Sequence, residues 1–219
     1  MSETAVSRSV GERSAGKKGG VLHDAAVLFA ITLIAGIILG FVYQITKNPI
    51  AVQEEKARTE ACKEVFADAV TFEVAEEFDY TLAKDLFSQA GFSAQSLSDV
   101  VRAAKGANGE LLGYVLTVTT SEGYGGDIVF TMGIRLDGTV NGISILSISE
   151  TPGLGMRAEE VLKPQFTDKN VTQFEYTKSG AVSDSQIDAI SGATITTNAI
   201  TNGVNAGLEY FRAVIKEGL

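Results

Sequence analysis

The sequence predicts an α+β protein: an antiparallel β-sheet of successive hairpins flanked by helices, preceded by one transmembrane helix. Three observations predict it. Residues 25–46 contain no charged side chain. Between residues 111 and 149, three runs rich in β-branched residues are separated by glycine-bearing turns. The last stretch then repeats apolar residues at helical spacing. Strands in one block, with helices before and after, read as α+β rather than as alternating parallel units.

The first element, AAVLFAITLIAGIILGFVYQIT, lies between Asp24 and Lys47. Its 22 residues reach ~33 Å as a helix, enough for a hydrocarbon layer of ~30 Å. Arg8, Arg13, Lys17 and Lys18 precede it, and Lys47, Lys56 and Arg58 follow among Glu54 and Glu55. Acids weigh little in the positive-inside rule. Residues 1–24 are therefore expected as a cytoplasmic tail, 25–46 as a single-pass anchor in the cell membrane, and 47–219 as an extracytoplasmic domain. The apolar run is long for a signal peptide and no small-x-small cleavage site follows, so the anchor is expected to stay uncleaved.

Residues 50–70 read as a helix, with Val52, Ala57, Ala61, Val65 and Ala69 on one face and Pro49 at its start. Cys62 falls inside it as a packed free thiol. Residues 71–98 carry little pattern beyond a short helix near 82–89. From there the signals sharpen. A short strand in VVRAAKG leads to a turn at Asn108-Gly109. Strands follow over 111–120, 127–136 and 139–149, joined by SEGYGG (121–126) and by the hairpin dipeptide Asp137-Gly138. MRAEEVLKPQF (156–166) is a short helix candidate, and residues 183–194 read as a polar loop. In the final helix Ile200, Val204, Leu208, Phe211 and Ile215 form one apolar face, weakened by glycines.

Inventory narrows the chemistry. A net charge of −9 argues against nucleic acid. One cysteine, Cys62, excludes an intrachain disulfide and a cysteine metal cluster, and the sole histidine, His23, sits beside the span. No catalytic side chain and no metal ligand set is therefore named. Chemistry falls to carboxylates, hydroxyls, lysines, backbone groups or a bound cofactor.

Two segments carry what remains. Asp188-Ala-Ile-Ser191-Gly192-Ala193-Thr194 immediately precedes the final helix. A helix start offers unpaired N–H groups and partial positive charge to a phosphate, with Gly192 and Ala193 leaving room and Ser191, Thr194, Thr196 and Thr197 supplying hydroxyls. The same residues also read as a plain Ser/Thr N-cap. Glu150-Thr151-Pro152-Gly153-Leu154-Gly155 ends a strand; it is either backbone that approaches a flat ligand closely or a type II turn with Pro152 and Gly153 at its corners. Tyr124-Gly125-Gly126 is a strand connection or a third wall of the same pocket.

The order of anchor, GYGG, ETPGLG and DAISGAT resembles the FMN-binding G subunit of the Rnf electron-transport complex, a family whose sister is the C subunit of the sodium-pumping NADH:quinone reductase. The resemblance covers nearly the whole chain. D-x-x-S-G-A-T is similar to the target of a flavin transferase that joins FMN to threonine through a phosphoester. The resemblance implies Thr194 as the flavin-bearing residue. It implies Ser191, Gly192 and Ala193 as the attachment loop and Asp188 as the acidic position tied to transferase recognition. It places Glu150, Thr151, Gly153, Leu154 and Gly155 against the flavin ring, and Tyr124 and Gly125 are expected among the cofactor-binding residues as the third wall of the pocket.

The function so implied is an electron carrier, not a catalytic centre by itself, relaying electrons between ferredoxin and NAD with Na⁺ or H⁺ translocation. The implied partners are other membrane, iron–sulfur and flavin subunits, and the transferase during maturation. The sister C subunit, a flavoprotein of extracellular electron transfer and a tethered small-ligand-binding module remain open alternatives. A hydrolase is disfavoured because no nucleophile–base pair is visible.

Overall fold

The computed structural model describes residues 20–76 and 78–216. The basic residues expected to hold the tail in the cytoplasm lie outside them. The chain divides into two units between Val52 and Gln53. The part of helix α1 (Gly20–Val65) that belongs to the first unit leaves Leu28, Phe29, Ile37, Leu39 and Phe41 more than half exposed. This helix is long and apolar enough to cross a membrane.

Pro49 does not begin a new helix, as its position suggested, but lies inside α1. A proline removes one i→i−4 bond and crowds the preceding turn. Here helix-forming residues on both sides propagate across that single defect.

The second unit, from Gln53, is built on one antiparallel sheet. Strands β1 (Thr71–Val74), β3 (Arg102–Lys105), β4 (Leu111–Thr120), β5 (Ile128–Arg135) and β6 (Val140–Ser147) are neighbours in the order β1-β3-β4-β5-β6. Strand β2 (Gln95–Leu97) pairs with the far end of β4, beside β3. The three long strands match their expected spans, and Gly138 at φ 92° closes the β5–β6 turn. Strands β1 and β2 arise in the stretch where little pattern was visible. Residues 183–194 are not all loop: β8 (Gln186–Asp188) pairs in parallel with β7 (Glu175–Thr177). A three-residue strand shows no periodicity, and its pairing comes from partners elsewhere in the chain.

Each sheet face is covered by one helix. On one face lies α4 (Thr194–Tyr210), followed by a π-helical turn, Phe211–Lys216. Its Ile200, Val204 and Leu208 join Val118, Phe130 and Met132 in the main core. The α4 glycines make this approach possible. A Cβ on Gly203 would stand 2.8 Å from the Phe130 ring, and one on Gly207 would stand 2.2 Å from Met132 Sδ. On the other face, Cys62, Val65 and Phe66 at the end of α1 pack with Ala104 and Val115. Gly113 and Gly133 lie under Phe66, where a Cβ would come within 3 Å of its ring.

Short helices α2 (Ala83–Gln89) and α3 (Ala158–Val161) close the edges. Residues expected as one helix over 156–166 instead form two 3-10 turns around α3, Gly155–Arg157 and Lys163–Phe166. Pro164 accounts for the break: it has no N–H to extend α3.

Candidate functional site

Two glycine turns face each other across the start of α4. In the first, the Leu154 N–H donates to the Thr151 carbonyl at 3.1 Å, and Gly153 has φ 77°. In the second, the Ala193 N–H donates to the Ile190 carbonyl at 3.0 Å, and Gly192 has φ 78°. Positive φ at the third residue of a four-residue turn is the type II requirement, which glycine meets without strain. The turns touch: a Cβ on Gly192 would lie 3.1 Å from Leu154 Cδ2.

Between them opens a cleft of about 550 Å³ lined by Tyr124, Glu150, Thr151, Leu154, Gly155, Gly192, Ala193, Thr194, Ile195 and Thr196. That volume suits a small organic ligand. The walls are largely apolar, and Tyr124, 72% exposed, stands at the rim with half-exposed Ile195. The lining contains no lysine or arginine, and Glu150 is its one charged residue.

The start of α4 is bare. Its N-cap is Ala193, and no side-chain bond caps the helix. The Ser/Thr N-cap expected as the ordinary alternative is therefore absent. First-turn amides without a capping side chain keep their hydrogen-bonding capacity and partial positive charge for a ligand.

The three threonines of this turn have separate fates. Thr194 lines the cleft, is partly exposed, and its hydroxyl has no hydrogen-bond partner among the described residues. Thr196 is buried and donates to Glu150 Oε2 at 2.9 Å. Thr197 is buried, donates to the Ala193 carbonyl at 3.0 Å and accepts the Ile190 N–H at 3.1 Å, closing the loop from behind.

Eight of the twelve expected residues line the cleft: Tyr124, Glu150, Thr151, Leu154, Gly155, Gly192, Ala193 and Thr194. Four do not. Ser191 is exposed and outside the lining. Gly153 supplies the backbone angle only. Gly125 acts through its N–H, which donates to Glu150 Oε1 at 3.2 Å; a Cβ there would stand 2.0 Å from the Ser149 carbonyl oxygen. Asp188 lies in β8, where its carboxylate accepts the Ala181 N–H at 2.6 Å.

Gln165 was not anticipated. Its side-chain amide accepts the Asp188 N–H at 2.7 Å and donates to the Asp188 carbonyl at 3.1 Å, imitating a strand beside the motif. Nothing local in the sequence marks a glutamine 23 residues away as the partner. Ile195 and Thr196 complete the lining, and helical spacing alone assigns them no side of the cleft.

Comparison with known proteins places this geometry in context. A family model described as an FMN-binding domain matches residues 123–209, which span the glycine loop, the Glu150 turn and most of α4. The chain is 31% identical over 192 residues to the G subunit of the Na⁺-translocating ferredoxin:NAD⁺ oxidoreductase complex of Acetobacterium woodii, covering 87% of this chain and 91% of that protein. It is 32% identical over 195 residues to the G subunit of the proton-translocating ferredoxin:NAD⁺ oxidoreductase complex of Clostridium ljungdahlii, covering 85% and 92%. Among solved structures, NqrC of Shewanella oneidensis superposes with a TM-score of 0.49 at 16% identity, over 71% of this chain and 86% of that one.

Proposed function

The chain belongs to the G-subunit family of Rnf-type ion-translocating oxidoreductase complexes, and on that premise we propose that it carries FMN covalently on Thr194, through a phosphoester, as a membrane-anchored electron relay. It is a flavoprotein subunit of such a complex. The relay reading goes further: electrons pass through this domain between ferredoxin and NAD⁺, which bind other subunits, while Na⁺ or H⁺ is moved.

The observation that carries the attachment site is the state of the three threonine hydroxyls. Of the three, only Thr194 combines a place in the cleft lining with a hydroxyl that no other described residue uses. The residues also fit the group. The uncapped start of α4 presents amides to a phosphate, and Gly155 and Gly192 keep the walls free of side chains where a flat ring would lie. When bound, the flavin would supply the electron-accepting chemistry, and the protein would supply position and electrostatics.

The missing cation supports a covalent bond. A cleft that already holds the Glu150 carboxylate and offers no Lys or Arg gives a free phosphate dianion little to pair with. Reversible binding of FMN would then rest on amides and ring packing. An ester to Thr194 fixes the cofactor without an ion pair, and it also prevents loss to the medium outside the cell.

The anchor supports the same reading. An apolar helix exposed along its length satisfies its side chains in lipid. We place residues 25–46 across the cell membrane, the N-terminus in the cytoplasm and residues 47–219 outside it. Asp188 and Ser191, which lie off the cleft, remain available to the transferase that recognises the motif.

The test is intact-protein mass after denaturation, on protein produced with a flavin transferase, beside a Thr194→Ala variant. Added mass equal to FMN minus water, lost in the variant, is the expected result. No added mass in the unsubstituted protein would overturn the covalent reading.

A further inference from the structure

Glu150 is 6% exposed, yet no lysine or arginine pairs with it among the described residues. Both its oxygens accept hydrogen bonds, Oε1 from the Gly125 N–H at 3.2 Å and Oε2 from the Thr196 hydroxyl at 2.9 Å. Both oxygens thus serve as acceptors, one for the glycine loop and one for α4. Three segments meet at this one side chain: the glycine loop that carries Tyr124, the strand end that carries Glu150, and the first turn of α4 that carries Thr194.

The chain is also shaped around it. A Cβ on Gly155 would fall 2.7 Å from Oε2, and a Cβ on Gly123 would fall 2.9 Å from Oε1. Glycine at both places leaves the carboxylate its room. A second acid reinforces the arrangement, since Glu122 accepts from Asn202 Nδ2 at 2.7 Å and ties the same loop to α4 further along.

A buried charge without a counter-ion is costly. A neutral acceptor would bridge Thr196 and Gly125 without that cost, so bridging alone does not explain a carboxylate. We propose that Glu150 is the positioning residue of the cleft and that its unneutralised charge holds the flavin's reduction potential low. The inference rests on the FMN reading above. Reduction adds electrons to the ring and leaves it more negative. A fixed negative charge in the wall of the same cleft, with no cation in the lining to offset it, makes that added charge harder to accept.

The experiment compares wild type with Glu150→Gln, both produced with the flavin transferase, by intact mass and by spectroelectrochemical titration at neutral pH. Glutamine keeps the side chain's reach and removes its charge. The expected result is the same added mass with the midpoint potential moved to a more positive value. An unchanged or more negative potential in flavin-loaded Glu150→Gln overturns the proposal while leaving the FMN reading intact. A wild-type protein with no added mass overturns the FMN reading itself, and the proposal with it.

Thr196→Val serves if the glutamine variant does not fold. It keeps the carboxylate and removes one donor, so the charge acts on the ring less attenuated and the potential shifts to more negative values. No shift in that variant likewise overturns the proposal. Positioning has its own readout without any flavin: Glu150→Ala, produced without the transferase, melts at a lower temperature than the wild type because three segments lose their common acceptor.

Discussion

The side chains around the cleft are distinguished less by type than by what each is bonded to. Thr194, Thr196 and Thr197 are chemically alike, and motif chemistry alone leaves all three open as attachment points. Their partners separate them, because a hydroxyl already donating to Glu150 or to the Ala193 carbonyl gives up that bond to become an ester oxygen. Thr194→Ser is therefore expected to retain flavin, while Thr197→Val is expected to lower stability by ~1–3 kcal/mol. That is the usual cost of leaving a buried group such as the Ile190 N–H without its acceptor, and urea unfolding measures it. Tyr210 makes the converse point. It is fully buried, its hydroxyl has no partner among the described residues, and burial, reinforced by Asp79, pushes its pKa up to about 12. Tyr210→Phe removes an unsatisfied polar group and keeps the ring. It is expected to leave stability unchanged or raise it by up to ~1 kcal/mol, which a shift in Tm reports.

Helices and strands were legible in proportion to their length. β4, β5 and β6, with eight to ten residues each, carry enough alternation and enough β-branched residues to declare themselves. So does α4, through the spacing of Ile200, Val204 and Leu208. β1, β2, β7 and β8 have three or four residues, too few to show a period, and they exist because β3, β4 or each other supplies the pairing. The cleft divides the same way: its glycines and hydroxyls stand together in the sequence, but the bond from Thr196 to Glu150 crosses 46 residues and leaves no local trace. The α4 glycines show how context reverses propensity. Alanine at 203 would gain ~1 kcal/mol as a helix former, but its Cβ would stand 2.8 Å from the buried Phe130 ring, and overpacking of this kind costs ~1–3 kcal/mol. Gly203→Ala is expected to lower Tm. The junction of α1 with the sheet gives a pH dependence. Asp99 accepts from Arg58 and Arg102. Burial alone would raise its pKa, but the bonds from Arg102 and the Val100 N–H outweigh it and hold the carboxyl below the usual range. A depressed carboxyl contributes stability that is present above its unfolded pKa and lost as pH falls through the folded value. Asp99→Asn is expected to flatten the loss of stability between neutral pH and about pH 3, seen in urea midpoints measured across that range.

At the scale of the whole molecule, one chain answers two solvents. The second unit, from Gln53, buries apolar surface on both faces of its sheet, under α4 and under the end of α1. Residues 21–45 of α1 do the opposite and present apolar side chains outward. Exposed apolar surface of that extent is unfavourable in water by ~25 cal/mol per Å², so the helix calls for lipid. On the proposed reading, a relay that exchanges electrons with membrane partners would gain from this arrangement, because tethering raises their effective concentration without any added contact. On the proposed reading, attachment of the flavin to Thr194 and anchoring of the protein are parts of one design: neither the cofactor nor the domain would be left to diffuse. The full chain is accordingly expected in the membrane fraction, resistant to alkaline carbonate extraction. A chain beginning at Gln53 is expected in the soluble fraction, still accepting FMN on Thr194 when the transferase and the chain share a compartment. The two halves of that expectation fail separately. Carbonate-extractable full-length protein would deny the span while leaving the cleft untouched. A soluble chain from Gln53 that folds but takes no flavin would show that the site depends on more than the residues gathered at the start of α4.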